Sequence, residues 1–276
     1  MLSLIKIEWL KIKKYPAFWW MLGIVALTYP GINIMFYNVY QQISTSKNMA
    51  GEIAKMLLGN PFAFPETWHS VAYFSSHFVI LPSILVIMLV TNEYNYKTHR
   101  QNIIDGWSRS QFITSKLCDV AIISFIITIV YALVATVFGF YSDSSSAYRW
   151  AEQLYYIPLF FIQSFAQLSI AFLLGYLIKK AFIALGIFLF YNLVIENIVT
   201  AYFTYKLKMD GVSRLMPFEM SDRILVAPSF VGKFGNDAKA TYDRWIDAVP
   251  AQIALTVVFT GIIWLICYAV HKKRDL

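Results

Sequence analysis

Two cysteines, Cys118 and Cys267, are all that the 276 residues contain, and neither a disulfide framework nor a CxxC metal pattern can be built from them. Charge is scarce as well: Asp, Glu, Lys and Arg make up 14% of the chain, against roughly 25% in ordinary soluble domains. The sequence lacks the GxxxxGK[ST] phosphate loop, GxGxxG, HExxH and GxSxG. Nucleotide hydrolysis, dinucleotide chemistry, zinc proteolysis and hydrolase-type acylation therefore lack their usual residues. Long lipid-facing strand alternation is missing too, which argues against a closed barrel. No internal repeat stands out, and the only low-complexity tract is the serine run at 144–146.

What the chain has in quantity is apolar residues. They are 58% of the total, with a mean hydropathy of +0.56, and they come in blocks near the ~20 residues that cross a ~30 Å hydrocarbon layer as helix. We expect an all-α integral membrane protein, one membrane domain over 1–276, with six spans near 17–40, 73–91, 117–141, 153–178, 181–205 and 251–270. Residues 1–16 precede them as an interfacial helix, with Leu2, Ile5, Trp9 and Ile12 on one face and Lys6 and Lys13 at its edges. A strand or a secretory signal are the alternatives, but the apolar run that follows is too long for a signal core and shows no small-residue cleavage site. Pro16 marks the bend into the first span. Residues 41–69, punctuated by Gly51, Gly59, Pro61 and Pro65, read as a loop with one short helix.

The formal net charge of +7 invites a nucleic-acid reading. In so apolar a chain a basic excess marks cytoplasmic loops instead. Thirteen of the 23 lysines and arginines fall at the N-terminus, at 97–116, at 179–180 and at 272–274, all on one side of a six-span layout. Both termini are therefore expected in the cytoplasm. The segment 205–249 adds seven basic residues on the other side, with six acids among them. Its stretch LMPFEMSDRILVAPSF is too apolar for a freely solvated loop. We expect it in or on the outer leaflet, over an exit, with disorder as the alternative.

Between the second and third spans lies a polar, basic insert, NEYNYKTHRQNIIDGWSRSQFITSK, residues 92–116. Thr98 with Gln101 fits a capping box, Gly106 a left-handed helix end, and Ser108 with Gln111 a second capping box, so the insert reads as helix, sharp turn, helix. Ile103, Ile104 and Trp107 have no core of their own there and need a partner surface. Within the spans, Asn192, Glu196 and Thr200 form a polar stripe at spacing four, with Glu196 roughly 22 Å from the inner end at 1.5 Å per residue. Glu196 either lines an outward path or is a structural carboxylate paired with a neighbouring helix. Gln163 and Gln167 read as hydrogen bonds between helices, and Asp119 as a helix-start charge. His69 and His77 share a helical spacing but have no third ligand nearby, so they read as interfacial histidines rather than a metal site. Trp19, Trp20, Trp68, Trp107, Trp150 and Trp245 read as an interfacial belt.

The insert resembles the cytoplasmic coupling helix of the permease subunits of type 2 ATP-binding-cassette (ABC) exporters. That pattern is an acidic residue after span two, then GT, a basic or polar pair, two aliphatics, a turn, SR and a later lysine. Glu93, Thr98, His99 with Arg100, Ile103 with Ile104, Gly106, Ser108 with Arg109, and Lys116 stand in those places. Lys97 replaces the glycine of GT, and Gly106 with Trp107 occupies a turn often held by proline. The resemblance implies that 93–110 is a coupling helix docking through Glu93, Thr98, Arg100, Ile103, Ile104, Gly106, Trp107, Ser108 and Arg109 on a separate ABC ATPase, two copies per complex. ATP and Mg would be bound by that partner and no cofactor by this chain. It further implies a second permease chain, as homodimer or heterodimer, a bacterial cytoplasmic membrane, and export along a path that includes Asn192, Glu196 and Thr200. An aromatic, weakly polar interior suits an amphipathic or hydrophobic substrate such as a peptide, lipid or drug. An ion-coupled secondary transporter using Glu196, and a membrane-embedded enzyme, are the alternatives.

Overall fold

The computed structural model describes residues 2–45, 59–98, 101, 104, 106–228 and 238–273. Among these the regular structure is helical throughout, and no strand occurs. The interfacial helix α1 (Leu2–Lys14) leads at Tyr15 into α2 (Pro16–Ser44). Pro16 occupies the first turn of α2, where its missing N–H leaves nothing unsatisfied. Then come α3 (Glu66–Ser76), α4 (Ile80–Asn95), α5 (Arg109–Ser142), α6 (Tyr156–Ile178), α7 (Ala181–Lys206), the short α8 (Pro217–Asp222) and α9 (Ala238–Lys273).

Five of these helices are long and apolar enough to cross a membrane: α2, α5, α6, α7 and the 242–272 part of α9. A sixth crossing arises only if α3 and α4 are counted as one span, because they meet at a 50° bend. The sequence predicts an unbroken helix over 73–91. Pro82 breaks it: without an N–H it leaves the Phe78 carbonyl unpaired in the α ladder, and its ring crowds that carbonyl. The backbone instead turns through short-range bonds such as Leu81 N–H to Phe78 O, 3.1 Å. Two other boundaries move. The third apolar helix starts at Arg109 rather than 117, and the last at Ala238 rather than 251, so 238–249 extend α9. The helix α7 also carries two π turns, Tyr191–Ile195 and Tyr202–Lys206, which shift the register that the polar stripe assumed.

The helix α6 is the central post, apolar on all sides and packed against α3, α4, α5 and α9. Gly175 lets α4 come close to it. A Cβ there would stand 2.5 Å from Val90 Cγ1 and 3.4 Å from the Ile87 Cα. Small residues at such crossings are how helices pack tightly in lipid. The outward faces carry large apolar side chains, including Trp20 at 74%, Leu27 at 78% and Phe182 at 90% exposure. Surface of that kind suits a bilayer and not water. The chain is an all-helical membrane protein.

The elements join at two opposite ends. At one, α1, the end of α4, the start of α5 and the end of α9 meet, with Arg109 donating to the Lys272 carbonyl at 2.9 Å and the Lys179 ammonium 5.0 Å from the Tyr94 ring centre. At the other, Asn60 bonds Ser142 at 2.9 Å and the Trp68 indole N–H donates to the Trp150 carbonyl at 2.8 Å. Trp68 is buried in the core and does not belong to an interfacial belt.

Candidate functional site

The first end holds the insert. Ser108 caps α5: its hydroxyl accepts from the Gln111 N–H while the Gln111 side chain accepts from the Ser108 N–H at 2.8 Å, the reciprocal pair predicted from sequence. Gly106 has φ +96°, a backbone that side-chain-bearing residues rarely adopt, so the turn before that cap needs glycine. Thr98 does not cap as predicted. It is itself helical, and its hydroxyl donates to the Glu93 carbonyl at 3.4 Å. Gln101 and Ile104 are helical too, and Ile104 is 83% exposed. Arg100 and Ile103 lie outside the described residues.

Beneath the insert lies an ionic cluster that sequence reasoning does not reach. The Lys116 ammonium, buried about two turns inside α5, donates to Glu93 at 2.6 Å, to Glu8 of α1 at 2.7 Å and to Asp119 at 3.1 Å. Lys11 joins from α1, 2.8 Å from Glu8 and 3.8 Å from Glu93, with its ammonium 5.4 Å from the Trp107 ring centre. Burial pushes the Glu8 carboxyl up, but the Lys116 and Lys11 charges together outweigh it and hold it at about 2. Asn92 adds a bond to the Tyr15 hydroxyl at 2.6 Å. A cavity of about 320 Å³ lies against the cluster, lined by Thr98, Tyr96 and Glu93 among others.

Two expectations change here. Asp119 is a buried member of the cluster, ten residues inside α5, and not a helix-start charge. The interfacial face of α1 is different as well. The side chains of Leu2 and Ile5 lie outside the described residues; among the others Glu8 and Ile12 are buried, at 1% and 2% exposure, while Trp9 is 36% exposed, because Glu8 reaches Lys116. Arg109 is half-buried and engaged by the α9 carbonyl, a favourable place for a cation at a helix C-terminus. The arrangement thus ties α1, α4, α5 and the turn at Gly106 into one unit. Removing one partner from a buried ion cluster costs roughly 3–5 kcal/mol, so the cluster resists separation of α1 from α4 and α5.

At the other end, α8 lies folded back against α6, α7 and α9. Glu196 of α7 accepts from the Phe218 and Glu219 N–H groups at 2.7 and 2.6 Å, capping α8. Gln163 and Gln167 of α6 both donate to Asp222 Oδ1, at 2.8 and 2.6 Å, so they bind the outer segment and not a neighbouring span. Gln252 and Thr256 of α9 donate to the Met220 carbonyl at 3.1 and 3.2 Å. Residues 217–222 of the outer segment are therefore docked between the helices.

Two cavities, of about 370 and 180 Å³, adjoin α8 and share Ser76, His77, Asn197, Glu219 and Asp222. Asn192 and Glu196 line the smaller one, and Thr200 lines neither. Asp222 is exposed to these cavities. The helices crowding that carboxyl strip most of the water from it although the residue as a whole keeps solvent contact, and this desolvation carries it to about 6, against the pull of His77 and the two glutamines. His69 is spent elsewhere, its Nε2 donating to the Val226 carbonyl at 2.7 Å while its ring stacks on Tyr156. The signal for this outer site was present in part: Glu196 and the two glutamines stood out as polar groups in apolar runs, but their common partner in 217–222 did not.

The chain belongs to a family described as protein of unknown function (DUF2705), whose model matches residues 32–276. No curated protein and no solved structure matches it.

Proposed function

We propose that this DUF2705 protein is the membrane-spanning subunit of an ATP-driven exporter of the type 2 ABC class, coupled to a separate ATPase through residues 93–110. In this reading α3 and α4 together make the second of six crossings. The basic end faces the cytoplasm of a bacterial inner membrane, and two such chains, identical or paired, work with two ATPase subunits. The observation that carries it is Ile104, itself helical and 83% exposed, just before the Gly106 turn and the Ser108 cap, above the Lys116 cluster. An exposed aliphatic beside a capped turn is suited to a groove on a partner, and the ionic cluster beneath gives that turn something to push. Asn192 and Glu196, facing the smaller outer cavity, would belong to the outward path. The aromatic, weakly polar interior favours an amphipathic cargo over an ion or a sugar.

A second reading, an ion-coupled transporter, draws on Glu196, an ionisable group of α7 that lines that cavity. The two separate cleanly. Purified from its own cells in mild detergent, the chain is expected to bring with it a protein bearing a phosphate-binding loop, and Ile104→Asp to lose that partner while keeping the wild-type thermal midpoint. A chain that transports in vesicles without any ATPase, and stops when the proton gradient is collapsed, would establish the ion-coupled reading instead.

A further inference from the structure

At about 320 Å³, the cavity against the Lys116 cluster has the size of a small ligand pocket rather than of a packing defect. It lies where α1, α4, α5 and α6 meet, and its lining is graded. The floor is apolar: Val120, Ile123 and Phe172 are at 1%, 3% and 2% exposure, with Val86 and Val90 beside them. Toward the mouth stand Lys11, Tyr15, Asn92, Thr98 and the largely exposed Tyr96. Water at such a floor would find no polar partners. Left empty, the floor side chains forgo the contacts that a packed interior gives, and an apolar occupant restores them.

The ionic groups at this cavity are spent on one another. Lys116 holds Glu93, Glu8 and Asp119 at 2.6, 2.7 and 3.1 Å, and Lys11 holds Glu8 at 2.8 Å. A cationic head entering here would meet the two ammonium groups and an anionic head the three carboxylates, so a head of either sign faces like charge. Neutral hydrogen-bonding groups are on offer instead. The Asn92 amide donates to the Tyr15 hydroxyl at 2.6 Å; it has a carbonyl oxygen and a second N–H besides, and that hydroxyl has its own hydrogen to give.

We propose that this cavity binds the alkyl chain of an amphiphile with an uncharged hydroxyl head, the chain lying on Val120, Ile123 and Phe172 and the head at Asn92 and Tyr15. At roughly 30 Å³ for each water-sized group, the space takes about ten heavy atoms, a chain of about eight carbons with its head. The binding stands on the fold alone. Only the further step, that a cargo enters here from the membrane, rests on the exporter reading.

The test is photolabelling of the purified chain in phosphatidylcholine nanodiscs, without any partner, with an octanol that carries a diazirine on its chain. Saturable labelling is expected at the floor, on Ile123 and its neighbours, competed by octanol and not by octylammonium or octanoate. Leu89→Trp, which turns an indole into the cavity from a half-buried position, should lose the saturable labelling and keep the thermal midpoint. Labelling that never saturates and falls on outward residues of the same helix, such as Phe125 and Leu133, would overturn the proposal. So would equal competition by either ion, or unchanged labelling in a folded Leu89→Trp. Should that variant not fold, the competition on the natural chain decides alone. Absence of a co-purifying ATPase would sink the exporter reading and leave this result standing.

Discussion

Lys116→Met is the most demanding perturbation of the basic end. The lysine makes three ion pairs, at 2.6, 2.7 and 3.1 Å, with 5% of its side chain exposed. Methionine keeps the length and apolar stem but removes the charge. Glu8 and Glu93 retain Lys11, at 2.8 and 3.8 Å, whereas Asp119 has no other ion pair among the described residues. Breaking a buried cluster on one side costs about 3–5 kcal/mol. At roughly 2–4 °C per kcal/mol for a chain of this order of size, the thermal midpoint in detergent falls by roughly 6–20 °C. Adding Asp119→Asn removes the stranded charge, so the double variant regains part of the loss and the two changes are not additive. The exposed pair Arg149 with Glu152, 2.7 Å apart at the opposite end, serves as control, and Arg149→Ala leaves the midpoint in place. A Lys116→Met midpoint equal to the natural one, or strict additivity with Asp119→Asn, would refute the cluster as the tie between α1 and α5.

Other consequences follow from single residues. Glu8 has its carboxyl lowered from 4.5 to about 2 in the folded chain. It therefore contributes stability above pH 4.5 that is lost as pH falls towards 2, about 3 kcal/mol at 1.36 kcal/mol per unit. An acid titration of the midpoint should show this limb, and Glu8→Gln should flatten it. Asp222 works in the opposite sense. Raised from 3.8 to about 6, it favours the folded state at low pH and loses that contribution as pH rises through 6. Solvent in the cavities screens it to about 1 kcal/mol, and the midpoint of Asp222→Asn should lack the dependence. Gly175→Leu places a side chain against Val90 and the Ile87 backbone and should cost about 1–3 kcal/mol, whereas Gly186→Leu, with nothing within 4 Å of a built Cβ, should not. Paired thermal melts decide it.

The helices were legible because each carries its own signal: an apolar run near bilayer thickness needs no knowledge of its neighbours. The same holds for the Ser108 cap, whose partner is three residues away, and for the left-handed Gly106. Pro82 was also in plain view, and its consequence, a bend in place of a straight second span, follows from local sterics. Pairings across the fold were not legible. Glu8 and Lys116 stand 108 residues apart, and a lone glutamate on a lysine-rich amphipathic helix reads as solvated until the partner helix is in place. Asp119 reads as a helix-start charge for a related reason: an apolar run that begins near 117 puts it at a helix end, while the Ser108 cap puts it ten residues inside. The π turns in α7 left no periodic trace, so Thr200 was assigned to the face of Asn192 and Glu196 although it lines neither outer cavity.

Contact of Ile104 with an ATPase is the claim on which the exporter account stands. A photoreactive amino acid placed at position 104 in living cells, activated by light, should give one major adduct. The account predicts that digestion of that adduct yields peptides of a protein with a phosphate-binding loop, and that Lys116→Met weakens the yield. An adduct with lipid or with proteins outside the cytoplasm would contradict it.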